Sequence, residues 1–120
     1  MTDLDPLFKY LPKYYICDPD FTNVKVVDLM TWAHWMEDPH KRIVDRKEMV
    51  RGFVSTVFMG FDLGWGLDDT PPLLFETAIF APGYACDKDR LRYTTIEEAR
   101  KGHAKAVETL KASPRVWDEL

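Results

Sequence analysis

Few residues in this chain have the type and setting that chemistry requires. Glu76 is the one acid inside the apolar run Leu73-Leu74-Phe75-Glu76-Thr77-Ala78-Ile79-Phe80. An ionised carboxylate among apolar side chains is costly unless it is paired or stands at a solvated mouth. It therefore reads either as a binding or catalytic carboxylate with a raised pKa, or as half of a structural ion pair, with Arg92 as the partner. His103 lies on the apolar stripe of a C-terminal helix, beside Gly102. Its imidazole either reaches the sheet as a general base or ligand group, or is a core histidine satisfied by one hydrogen bond, with Gly102 allowing close helix–sheet approach. Glu76 and His103 could act as acid and base only if one pocket brings them within hydrogen-bond reach, directly or through one water.

Other candidates are weaker. The Gly64-Trp65-Gly66 loop could cradle a phosphate through backbone N–H groups, but it lacks the Lys-Ser/Thr of a P-loop and the spacing of a dinucleotide fingerprint. Trp65, if exposed, is a natural stacking or interface anchor. Asp62, Asp68 and Asp69 do not have calcium-loop spacing and read as solvated loop acids. Lys41, Arg42, Arg46, Lys47 and Arg51 form a basic strip, diluted by Asp45 and Glu48. An exposed edge strand carrying charges against aggregation explains that strip without nucleic acid. Cys17 and Cys86 make no C-x-x-C or zinc spacing. No Ser/His/Asp set, metal-binding His pattern or paired-carboxylate spacing is present, so no catalytic constellation, metal or cofactor is expected.

The elements that must position these residues are legible in outline. Lys13 to Cys17 is aromatic and β-branched and predicts a strand, closed by the turn Asp18-Pro19-Asp20. Asn23 to Val27 predicts a second extended piece. Asp28 is an N-cap for a helix to about Asp38, stopped by Pro39, with Leu29, Trp32, Ala33 and Met36 on one stripe and Trp35 off it. Arg42 to Glu48 predicts an edge strand. Phe53 to Met59 and Leu73 to Phe80 are apolar on both faces and predict central strands of a long-looped hairpin. Leu91-Arg92-Tyr93 predicts a short returning strand. Thr95 and Glu98 fit a capping box for the last helix, where Ile96, Ala99, His103, Val107 and Leu110 recur at helical spacing up to Pro114.

The whole chain, 1–120, reads as a single domain, with residues 1–12 as a lead and 113–120 as a tail. The fold class expected is α+β: an antiparallel sheet of about four to five strands with two helices packed on one face. The other face would then need a partner, so a homo-oligomer is expected, with Trp35 and Trp117 as interface aromatics or, equally, core-edge residues. Composition agrees with a folded core: 46% apolar, 30% charged, formal net charge −4. A bulk basic field for nucleic acid is absent. The N-terminus lacks the basic and apolar regions of a signal peptide, and no apolar run reaches membrane-spanning length, so a cytoplasmic setting is expected.

The stretch Val54-Ser55-Thr56-Val57-Phe58-Met59-Gly60-Phe61-Asp62, then a Gly-rich loop into Pro71-Pro72-Leu73-Leu74-Phe75-Glu76-Thr77, resembles a family of small proteins common in phage and prophage genomes. Arg92-Tyr93-Thr94-Thr95-Ile96-Glu97-Glu98-Ala99, Gly102-His103-Ala104 and Leu29-Met30-Thr31-Trp32-Ala33 fit the same family, and the resemblance covers about residues 13–110. The family supplies a setting and no activity. In its pattern a His often follows the Asp at the hairpin end; here Leu63 stands there, which puts an Asp-His metal or acid/base site in doubt. Small phage proteins outside the virion often act by binding, inhibiting a host defence protein or sequestering a signalling nucleotide. The expectation is therefore a non-enzymatic binding protein of the infected bacterial cytoplasm. It would be a counter-defence protein or host-factor inhibitor, acting on a host protein or a small anionic, nucleotide-like ligand. Nucleic acid and membrane are not expected as partners. A small nucleotide-directed hydrolase or transferase and a minor virion assembly protein are the alternatives. The ligand site is expected where apolar walls meet converging polar groups, from Asp62, Trp65, Glu76, Arg92, Tyr93 and His103.

Overall fold

In the computed structural model, residues 13–62, 71–84 and 90–112 are described. Strands β1 (Lys13–Cys17) and β2 (Val24–Val27) form an antiparallel hairpin with Tyr15 opposite Val26. Helix α1 (Leu29–Trp35) follows, its first turn capped by Asp28, whose carboxylate accepts the Thr31 N–H at 2.7 Å. A single turn of 3-10 helix, Pro39–Lys41, leads into β3 (Ile43–Met49). Then come β4 (Gly52–Phe58), β5 (Phe61–Asp62), β6 (Phe75–Phe80), β7 (Leu91–Tyr93) and α2 (Ile96–Ala112). At the start of α2, Glu98 Oε1 accepts the Thr95 N–H while Thr95 Oγ1 accepts the Glu98 N–H, each at 3.2 Å, so the capping box forms. Among the described residues no helix is long and apolar enough to cross a membrane.

The architecture is α+β, with two antiparallel sheets rather than one. The larger has the order β3-β4-β6-β7, so the two strands with apolar side chains on both faces are the central ones. The smaller has the order β2-β1-β5. The expected long-looped hairpin is the β4–β6 pair, with Thr56 opposite Thr77 and Phe58 opposite Phe75. Its connection also supplies β5, which crosses to pair with β1. Gly60 makes that crossing possible. Its φ of +63° is a left-handed conformation that suits glycine, and a Cβ there would meet the Tyr15 carbonyl oxygen at 2.5 Å.

Strand alternation divides the large sheet into two faces. Val54, Thr56 and Phe58 of β4, with Phe75, Thr77 and Ile79 of β6, face inward and are buried. Helix α2 covers this face with Ile96, Ala99, His103, Ala106 and Leu110. Phe58 is the hub of the core. It packs edge-on against Phe75 at 5.3 Å and against Trp35 of α1 at 5.6 Å. Gly102 serves the close approach expected of it, since a Cβ at that position would collide with the Tyr93 phenol of β7. Helix α1 departs from its expected stripe and length. It ends at Trp35, and Leu29 and Ala33 are exposed while Trp32 and Trp35 are half-buried. The large indoles decide which side of so short a helix turns inward, because Trp32 packs at a tilt against Tyr14 and Phe61 and Trp35 meets Phe58.

The loop joining β1 and β2 is tied to itself through Asp18. That carboxylate accepts the Thr22 N–H at 3.0 Å, the Thr22 hydroxyl at 3.3 Å, the Asn23 N–H at 3.3 Å and the Asn23 side-chain amide at 2.6 Å. The same bonds, the Asn23 amide first, hold Asp18 below the usual carboxylate range. Phe21 in this loop has a φ of +63° yet is buried, its ring 6.4 Å from Phe58 and 6.2 Å from Phe75. A left-handed residue costs about 1–2 kcal/mol, and burying a Phe side chain returns about 1.5–3 kcal/mol. Burial therefore offsets the strain, and the loop becomes a plug over one end of the core.

Candidate functional site

Among the described residues, the expected site residues do not converge. Glu76 and Arg92 are directly opposite across β6 and β7, on the face of the large sheet away from α2. Arg92 Nε lies 3.5 Å from Glu76 Oε1, so the carboxylate is half of a cross-strand ion pair. His103 projects from α2 onto the other face, with Tyr93 packed over Gly102 on that same side. Period-2 alternation along β6 separates them, because Thr77 faces the α2 side, where it bonds Thr56, the partner of His103, while its neighbour Glu76 points away. An acid/base pair of Glu76 and His103 across one pocket is thus excluded by geometry. Asp62 ends β5 in the small sheet, where its charge, after burial, raises the Tyr15 phenol above its ordinary value. Trp65, Asp68, Asp69, Cys86 and Trp117 lie outside the described residues. Trp35 contacts Phe58 at the core edge.

His103 belongs to a polar chain that the sequence concealed. Thr56 Oγ1 is 2.6 Å from Thr77 Oγ1 and 2.8 Å from His103 Nδ1, and His103 Nε2 is 3.5 Å from Asp45 Oδ2. The carboxylate beside Nε2 favours the tautomer protonated there. Nδ1 then accepts from Thr56, and Thr56 accepts from Thr77. The set has the group types of a hydrolytic triad, but Thr56 is 0% and Thr77 1% exposed. No substrate reaches a hydroxyl sealed beneath a helix, so the chain satisfies polar groups inside the core. The register of β3 against β4 produces it, by setting Asp45 opposite Thr56 just after a bulge.

The described residues do form a cleft, elsewhere. It has a volume of about 380 Å³ and lies between the β1–β2 loop, the end of α1 and the 3-10 turn. Phe21 and Trp35 supply aromatic wall, and both are fixed by contact with Phe58. Asp38, His40 and Lys41 bring polar groups to it. Asp38 caps the 3-10 turn, its Oδ1 accepting the His40 N–H at 3.0 Å. Cys17 also lines the cleft, and burial, then the adjacent Asp18 charge, push its thiol up to about 12, so it is a protonated wall group and not a nucleophile. Sequence reasoning missed this cleft. Its signals were Asp18-Pro19-Asp20 and Asp38-Pro39-His40-Lys41, which read as a turn and a helix stop. Among the described residues no group of three or more His, Cys, Asp or Glu side chains could hold a metal ion.

Comparison with family models, with curated proteins and with solved structures finds no match to this chain.

Proposed function

We propose that the protein works by binding rather than by catalysis, holding a small anionic, nucleotide-like ligand in the cleft beside Trp35. The observation that supports this reading is the cleft itself: a rigid aromatic wall from Trp35 and Phe21, with the His40 imidazole and the Lys41 ammonium on one turn beside it. A ring stacks on such a wall and an anion is held by such a pair, which is the usual construction of a small-ligand site. In the hydroxyl–imidazole–carboxylate set of Thr56, His103 and Asp45 the hydroxyl and the imidazole are buried, which favours binding over turnover. In the phage setting that the resemblance implies, sequestering a host nucleotide in the bacterial cytoplasm would be a counter-defence.

Equilibrium dialysis against a bacterial metabolite extract tests this reading. Mass spectrometry of both compartments should find an anionic, ring-bearing compound enriched with the protein and chemically unchanged. Its conversion to a new product, lost in Thr56→Val, would instead make the protein an enzyme.

A further inference from the structure

We infer that the cleft selects a nucleoside monophosphate whose base carries an exocyclic amine, and rejects both the corresponding triphosphate and uridine monophosphate. The inference rests on the binding reading above and names the ligand class of that site.

Charge in the cleft sets the first preference. Lys41 is its one cationic side chain of fixed charge, and Asp18 and Asp38 are carboxylates in the same lining. The Asp18 carboxylate already accepts bonds from Thr22 and Asn23, while Lys41 has no ion pair among the described residues. One ammonium matches one phosphate group. Each further phosphate adds negative charge to a lining whose other fixed charges are the Asp18 and Asp38 carboxylates, which disfavours it.

The second preference comes from Asp38. Its Oδ1 is engaged by the His40 N–H, and its Oδ2 accepts nothing among the described residues. A carboxylate only accepts, so the ligand edge it meets must donate. Adenine, cytosine and guanine carry an amine that donates, whereas uracil presents a carbonyl in the corresponding place. Asp38 is the N-cap of the 3-10 turn and Lys41 its last residue, and the Lys41 N–H donates to the Asp38 carbonyl at 3.1 Å. The group that reads the base and the group that holds the phosphate therefore come from the two ends of one short turn, in the same lining as the Trp35 wall.

Calorimetric titration of the full chain with adenosine monophosphate, adenosine triphosphate, uridine monophosphate and adenosine tests the inference. Adenosine monophosphate should bind at least tenfold more tightly than each of the other three. In Lys41→Met the advantage of the monophosphate over adenosine should vanish. In Asp38→Asn, which keeps the cap but offers both donor and acceptor, the advantage over uridine monophosphate should fall to within about threefold. Triphosphate binding as tight as monophosphate, or uridine monophosphate matching adenosine monophosphate on the unaltered protein, overturns the inference. If none of the four binds while dialysis against extract still enriches another anionic ring compound, the inference fails and the binding reading stands. If the extract yields nothing either, both fail.

Discussion

Replacing Thr56 with Val keeps the shape of the side chain and removes the hydroxyl at the centre of the Thr77–Thr56–His103 chain. Thr56 is 0% exposed, so no water replaces the lost group. The bonds at 2.6 Å to Thr77 and 2.8 Å to His103 both go, leaving a hydroxyl and a ring nitrogen unpaired in the core. Each orphaned group costs about 1–3 kcal/mol, and the added methyl returns about 0.8 kcal/mol. A net loss of roughly 2–4 kcal/mol is expected. Thr77→Val cuts only the end of the chain and leaves Thr56 donating to His103, so its cost should be about 1 kcal/mol. The double variant should cost less than the sum, since the second substitution removes an orphan made by the first. Urea unfolding followed by far-UV circular dichroism, with equal slopes across the series, measures all three. If Thr56→Val is as stable as the unaltered protein, or no costlier than Thr77→Val, the structural account of this chain is wrong.

Three further outcomes follow from the described geometry. In a Cys86→Ser background, the Cys17 thiol, pushed up to about 12, should alkylate with iodoacetamide far more slowly at pH 8 in the folded protein than in urea; equal rates would contradict its burial. Asp18 is held below the usual carboxylate range only in the folded state, so its contribution to stability is present above about pH 4 and lost as pH falls through the lowered value; the melting-temperature gap between the unaltered protein and Asp18→Asn should therefore shrink in acid, and a constant gap refutes this. On the sheet face away from α2, Phe80 is 46% exposed and stacks on Phe53 at 4.6 Å, with the Arg46 guanidinium over the Phe53 ring. Light scattering should show a dimer or larger at micromolar concentration that Phe80→Glu reduces to a monomer, and a monomeric unaltered protein counts against association through this face.

Local signals carried the elements, and tertiary register carried the site. The capping box at Thr95 and Glu98, the N-cap at Asp28 and the alternation of β4 and β6 each act within a few residues, so they could be read directly. The Glu76–Arg92 pair was legible for the same reason, since a charge in an apolar strand requires a partner on the adjacent strand. That Glu76 and His103 stand on opposite faces depends on which face of the sheet α2 covers, and alternation alone does not say. Asp45 meets His103 through a register shifted by a bulge, which no local pattern announces. The cleft depends on Phe21 entering the core from a loop in a left-handed conformation, where turn chemistry would place a polar residue or glycine. Its other wall comes from Trp35, whose inward turn the apolar stripe of α1 did not indicate.

Native mass spectrometry of the protein as purified from bacterial cells, beside Lys41→Glu, tests the binding account most directly. Lys41 is exposed and unpaired among the described residues, so the substitution leaves the fold intact and reverses the charge at the cleft. The account predicts a small anionic molecule bound to the unaltered protein and missing from Lys41→Glu at equal subunit number. The same bound mass on both proteins would contradict it.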